Sequence, residues 1–198
     1  MTMQLSVFQV IPHALEAIER DTRELGFSMP SERKTGSLLR TLAAMKPAGR
    51  LLELGTGTGL GTAWLLSGMD RQARLDSVDI DSAALNIARR HLDSDERVTF
   101  HECDGGQFIA DAPPDTYDLI FADAWPGKYS QLDETLAMLN AGGIYVIDDM
   151  NPQPNWPIGH DVHVRLLLDE LNERTDLAVC RIDWATGVVI CSRIASAE

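Results

Sequence analysis

The stretch LLELGTGTGLGT, Leu51 to Thr62, sets a glycine on every second residue: Gly55, Gly57, Gly59 and Gly61. The apolar run before it reads as a strand and the segment after it as a helix ending near Gly68. A glycine-rich turn between a strand and a helix lets a ligand approach the main chain closely, because no Cβ intervenes and unusual φ is allowed. That suits a nucleotide-type cofactor, although such a turn can also be only a tight bend. The dinucleotide fingerprint GxGxxG needs its third glycine at position 60, which is Leu60. The pattern is instead E-x-G-x-G-x-G, with Glu53 inside the strand.

Outward from this turn the chain alternates two kinds of segment. RLLEL (50–54), LDSVDI (75–80), RVTFHE (97–102), YDLIFAD (117–123) and GIYVID (143–148) read as strands, mostly followed by a helical pattern. This is a βαβ series, hence an α/β fold with a doubly wound, mostly parallel sheet. After Asp81, SAALNIARRHL places Leu85, Ala88 and Leu92 on one helical face, with Arg89, Arg90 and His91 where the helix dipole favours cations. Ser130 is predicted to cap QLDETLAMLN and Gly142 to stop it. Near the end, LAVCRID and GVVICSR flank WAT and predict an antiparallel hairpin closing the sheet. Before the first strand, SERKTGSLLRTLAAMK places Leu38, Leu39, Leu42 and Met45 at helical spacing, and an earlier helix spans about Val10 to Glu24. These helices lie outside the series and are expected to pack on its edge or partly cap a site. The expected organisation is one domain over 1–198, with N-terminal helices in 1–47 and the core in 50–194.

Composition narrows the partners. With 17 Lys+Arg against 30 Asp+Glu the formal net charge is -13, and no basic run forms a patch, which argues against nucleic acid or an anionic membrane surface. A small or cationic ligand fits better. No basic n-region precedes an apolar stretch and no 18 apolar residues run together, so a cytoplasmic protein is expected. Cys103, Cys180 and Cys191 are too few and scattered for a disulfide framework and lack zinc-site spacing.

Acids stand at the ends of the predicted strands: Asp79 and Asp81, Asp104, Asp123, and Asp148 with Asp149. In an open parallel sheet the carboxyl ends line the ligand crevice, so these acids are expected to face one cleft beside the glycine turn. A solvated loop carboxylate explains any one of them, but not a repetition along successive strands. Asp79 lies 20 residues past Gly59, the distance at which an acid accepts hydrogen bonds from ribose hydroxyls. Asp104 before Gly105 and Gly106 suits an acceptor for an adenine amine, or a plain turn. An adenosine-containing ligand with a positive group elsewhere satisfies this set.

With these residues the chain resembles the class I S-adenosylmethionine-dependent methyltransferases, and within them the small O-methyltransferases of the catechol and caffeoyl-CoA type. MPSERKTGSLLRTLAAMKPAGRLLELGTGTGLGT, SVDID, YDLIFADAWPGKY and GGIYVIDDM carry the resemblance. It implies that Glu53, Gly55, Gly57 and Gly59 surround the methionine part of S-adenosyl-L-methionine, Asp79 the ribose, and Asp104 and Gly105 the adenine. It also implies a divalent cation such as Mg²⁺ at Asp123, Asp148 and Asp149, with Asp149 standing where the family has Asn. Such a metal would hold two substrate oxygens and aim one at the methyl carbon. The family's lysine, three residues after the strand-four acid, is here Pro126. Lys128, two residues further on, either reaches the site by another route or is a solvated loop lysine. Related enzymes commonly pair, which implies a homodimer.

MNPQPNWPIGHD after strand five is stiffened by Pro152, Pro154 and Pro157. It offers Trp156 as a substrate wall and His160 as an alternative base; Trp156 pinning the loop and His160 capping a helix are the structural alternatives. Trp125 and Tyr129 suit an aromatic acceptor or core packing. The sequence therefore predicts methyl transfer to a small hydroxylated, catechol-like acceptor. A cofactor-binding module without turnover stays open, while a nicotinamide-dependent oxidoreductase is disfavoured by Leu60.

Overall fold

Seven strands carry the fold: β1 (Arg50–Leu54), β2 (Arg74–Asp79), β3 (Val98–Glu102), β4 (Tyr117–Ala122), β5 (Leu139–Ile147), β6 (Leu177–Ile182) and β7 (Val188–Arg193). They are seen in a computed structural model that describes residues 10–195; the ends of the predicted domain, 1–9 and 196–198, lie outside it. The order is β3-β2-β1-β4-β5-β7-β6, parallel from β3 through β5 and antiparallel at β5–β7 and β7–β6. The predicted hairpin thus closes the sheet, with its second strand placed inside against β5.

Alternation along the strands separates two cores. Leu51, Leu119, Phe121 and Val146 face one side, where they pack with α1 (Leu15–Leu25), α2 (Arg33–Ala44), α3 (Leu60–Gly68) and α4 (Ser82–Leu92). Leu52, Leu54, Ile120, Ala122, Tyr145 and Ile147 face the other, with α5 (Gly105–Asp111), α6 (Leu132–Ala137) and α7 (His160–Glu173). Period-two burial on both faces makes these strands nearly continuous apolar runs. Helices α2 and α3 pack through glycines: a Cβ on Gly36 would enter the Trp64 ring, and one on Gly68 would strike the Arg40 carbonyl. Gly68 is the last residue of its helix, as predicted.

Four local predictions need correction. The first helix begins at Leu15 rather than near Val10, because Pro12 sits in a turn that accepts the Leu15 amide. Met45 lies past the end of α2 and is exposed. Ser130 does not cap α6: the cap position is Gln131, left-handed at φ 55, whose side chain donates instead to the Gly106 carbonyl. Nor does Gly142 stop that helix, which ends at Ala137. Leu139 already pairs with Tyr117, and the intervening Asn140–Gly143 segment forms an irregularity in β5 before Ile144 pairs with Leu119. Among the described residues no helix is long and apolar enough to cross a membrane.

Candidate functional site

Strand order reverses between β1 and β4, so their carboxyl ends open a crevice. The glycine turn lies at that point, and its four glycines do different things. Gly55 (φ 101) turns β1 past the end of β4, where a Cβ would come within 2.7 Å of the Asp123 carbonyl oxygen. Gly59 (φ 92) opens α3 against α4, where a Cβ would lie 2.8 Å from that of Ala88. Gly61 leaves room for Glu53. Only Gly57 presents bare main chain to open space: its amide donates to Asp79 Oδ2 at 2.6 Å, and a Cβ there would meet just the Phe27 ring, at 3.4 Å.

A cleft of about 310 Å³ lies over this turn. Its walls include Gly55, Gly57, Asp79, Asp104, Gly105, Asp123 and Asp149, so these predicted residues come from the ends of five different strands. The α1–α2 connection supplies Phe27, Met29, Pro30 and Ser31 as the opposite wall. Asp79 Oδ1 also accepts the Asp81 amide at 2.9 Å, while Asp81 and Asp104 cap α4 and α5 through their side chains. Thr22 of α1 donates to Thr58 in the glycine turn at 2.7 Å, fixing the covering helix to the site.

Glu53 stands apart from the cleft. It is fully buried beneath the turn, where Oε2 accepts from Thr62 and Ser77 while Oε1 has no hydrogen-bond partner. Burial pushes its carboxyl up to about 7, against the opposing pull of those two hydroxyls.

A second recess, about 160 Å³, shares Met29, Pro30, Ser31, Asp123 and Asp149 with the cleft and adds Asp148, Gln153, Asn155 and Thr186. Asp148 Oδ1 accepts the Asp149 amide at 2.9 Å and the Thr186 hydroxyl at 2.6 Å; Asp123 Oδ2 accepts the Ser31 hydroxyl at 3.2 Å. Burial, then the charge of Asp148, raises the Asp123 carboxyl well above its ordinary range, and burial raises Asp148 as well. Among the described residues no group of three or more acids, imidazoles or thiolates is arranged to hold a metal ion, Asp123, Asp148 and Asp149 included.

Lys128 is no solvated loop lysine. It is 5% exposed, and its ammonium donates to the Asp148 main-chain carbonyl. It lines neither cleft nor recess. Trp125, Tyr129 and Trp156 also lie outside both walls. They pack with His160 and His163 at ring separations of 4.7–6.2 Å, and the Tyr129 hydroxyl lies 3.1 Å from His160 Nε2. Burial, then the Lys128 charge, lowers the His160 pKa. His160 is the first residue of α7, whose cap position is Gly159. Sequence reading missed Phe27, Ser31 and Thr186; the first two lie in the α1–α2 connection, and the third is brought in only by the hairpin turn.

This Rossmann-like sheet, with a glycine turn and strand-end acids at the switch point, has the fold of solved methyltransferases. Similar folds are the O-methyltransferase TomG from Streptomyces achromogenes in complex with SAM (TM-score 0.81, 21% identity, 96% of this chain and 93% of that one) and the O-methyltransferase from Bacillus cereus with SAH (TM-score 0.79, 17%, 94% and 93%). The chain belongs to the methyltransferase domain family, whose profile matches residues 52–150. Candidate O-methyltransferases from Mycobacterium ulcerans and Mycobacterium sp. (strain KMS) are 30% and 28% identical over 117 and 151 residues, covering 57% and 70% of this chain. The chain spans 52% of the length of the first of these relatives and 69% of the second.

Proposed function

We propose that this chain is an S-adenosylmethionine-dependent methyltransferase acting on an oxygen of a small hydroxylated acceptor. The observation that carries the reading is the Gly57 main chain, bare toward the cleft and bonded across it to Asp79. That cradle suits an adenosine: Asp79 ends the strand next to the glycine turn, where a carboxylate accepts from ribose hydroxyls, and Asp104 with Gly105 borders the far wall. The strand-end acids favour a ligand that also carries positive charge. The names of the mycobacterial relatives and the SAM and SAH of the structural neighbours support the same reading.

When bound, the cofactor supplies an electrophilic methyl group. The protein then has to seat an oxygen nucleophile in line with it and receive a proton. The recess that shares Asp123 and Asp149 with the cleft is the acceptor's place, and its hydroxyl, amide and carboxylate lining suits a polar acceptor more than a flat aromatic one. Asp123 borders both spaces and, held above the usual carboxylate range by burial, is the base that takes the acceptor's proton. Ser31 orients its Oδ2. Lys128 and His160, outside both walls, act on the site only through neighbours.

Calorimetric titration with S-adenosylhomocysteine, followed by labelled-methyl transfer to a panel of polyhydroxy acceptors, tests the reading. Saturable one-site binding with transfer to oxygen is expected. Absence of binding sinks it, and binding without transfer to any acceptor leaves a cofactor-binding module.

A further inference from the structure

The segment between α1 and α2, residues 26–32, is tied down at both ends and nearly bare of bonds between them. We infer that the ion pair of Glu19 and Arg33 is its brace: the two are positioning residues that hold this segment as a strap over the cleft and the recess, and so set how fast ligands enter and leave. What those ligands are rests on the methyltransferase reading; the brace itself stands on geometry.

The chain turns sharply where the segment begins. Gly26, left-handed at φ 73, ends α1; its amide donates to the Arg23 carbonyl and that of Phe27 to the Thr22 carbonyl, the two bonds of a Schellman turn. This directs Phe27 back toward the glycine turn, where it lines the cleft opposite Gly57. Beyond it, among the described residues, nothing donates to or accepts from the main chain of 28–31. Ser28 and Pro30 are exposed, Met29 is 67% exposed, and the stretch touches the site through the Ser31 hydroxyl on Asp123. Yet Met29, Pro30 and Ser31 border both cleft and recess. A segment with so few bonds and so much exposure opens at little cost, so what holds its ends governs access.

Both helices are anchored without the pair. Asp21 binds α1 to α4, accepting from Arg90 at 3.1 Å and lying 2.8 Å from His91 Nε2, and Thr22 binds it to the glycine turn. Leu39 and Leu42 seat α2 in the core, Gly36 packs it on Trp64, and the Trp184 indole donates to the Lys34 carbonyl from the β6–β7 turn. Neither set of anchors fixes the span across the segment. Arg33, the first residue of α2, does so by gripping Glu19 of α1 side-on: Nε donates to Oε1 and Nη2 to Oε2, both at 2.6 Å. A two-point pair fixes orientation as well as distance. With the side chains 38% and 22% exposed it adds little to overall stability, so its effect falls on the segment it closes.

Two measurements on the full-length chain test the brace: amide hydrogen exchange over residues 26–36, and the release rate of labelled S-adenosylhomocysteine chased with unlabelled ligand. Glu19→Ala and Arg33→Ala are expected to speed both by about three- to tenfold, with only a small shift in thermal unfolding. The double variant should do no more than either single, because the pair acts as a unit. Salt at about 1 M should speed release from wild type and not from the variants, since it screens the pair. Single variants that exchange and release like wild type would overturn the inference, as would effects that add in the double variant. Glu19→Gln, which keeps the shape and drops the charge, stands in should a truncation unfold the chain. If wild type binds no S-adenosylhomocysteine the methyltransferase reading falls, and the exchange measurement alone then decides the brace.

Discussion

Glu53→Gln separates the electrostatic cost of the buried glutamate from its packing. Glu53 has no exposure, two hydroxyls donate to its Oε2, and Oε1 faces the open space of Gly61. Burial moves the carboxyl from its ordinary 4.5 to about 7. An acid raised in the folded state holds its proton more tightly there than when unfolded. Below about pH 4.5 both states are protonated and nothing is lost. Between that value and about 7 the unfolded chain ionises first and stability falls; above it the deficit is constant, about 3 kcal/mol from a shift of this size. A glutamine keeps an acceptor for Thr62 and Ser77 and does not titrate. Its amide nitrogen toward Gly61 carries a penalty that is the same at every pH. The difference in unfolding free energy between Glu53→Gln and wild type should therefore move by about 2–3 kcal/mol in the variant's favour between pH 5 and pH 8. Urea unfolding followed by far-ultraviolet circular dichroism measures it. A difference that stays constant across that range would refute a titrating carboxyl at this position.

Asp79→Asn should weaken S-adenosylhomocysteine binding by roughly 10- to 100-fold, the worth of a charge-assisted hydrogen bond, and unchanged affinity in calorimetry would remove Asp79 from the cofactor wall. Gly57→Ala and Gly59→Ala should part company. At Gly59 (φ 92), with Ala88 at 2.8 Å, alanine should cost about 2–3 kcal/mol of stability. At Gly57 (φ 52) it should cost about 1 kcal/mol, but its methyl enters the cleft and should lower cofactor affinity tenfold or more. Thermal melts and titrations that rank the two alike would contradict the division of labour in the turn. Asp123→Asn should lower kcat by about 10²- to 10⁴-fold while leaving S-adenosylhomocysteine affinity within a few-fold, and a near-normal kcat would rule Asp123 out as the base.

Much of the fold was legible because its signals are local. Each parallel strand is a short apolar run, and β1 was predicted to the residue because Arg50 and Gly55 bracket it. The strand-end acids were legible for the same reason: a crossover fixes which end of a strand faces the crevice. What failed depends on distant partners. β5 begins four residues before its apolar run because Leu139 pairs with Tyr117 across an irregular step, and nothing in NAGG announces that pairing. The sequence does not place the side chains of Glu53, Lys128 and Trp125. A polar residue in a strand near glycines reads as a ligand contact, a lysine in a loop as solvated or as reaching the site, and a tryptophan beside a site as an acceptor contact or as core packing. Which way each side chain turns is decided by packing against Gly61, by the turn at Gly127 and by the histidines of α7, which the motifs do not spell out.

Asp123 shows how the parts combine. Its main chain passes within reach of Gly55, so any residue but glycine there would push the end of β4 away from the cofactor turn. Its side chain, between cleft and recess, receives a hydrogen bond from Ser31 in the covering segment and feels the charges of Asp148 and Lys128. The α1–α2 connection is therefore more than a wall: its Ser31 holds one oxygen of Asp123. The positive charge that moderates this carboxyl lies behind it, bonded to a carbonyl rather than to the carboxyl itself. If Asp123 is the base proposed above, burial keeps it basic, a lysine it does not touch keeps it ionisable, and the recess is where it would meet the proton.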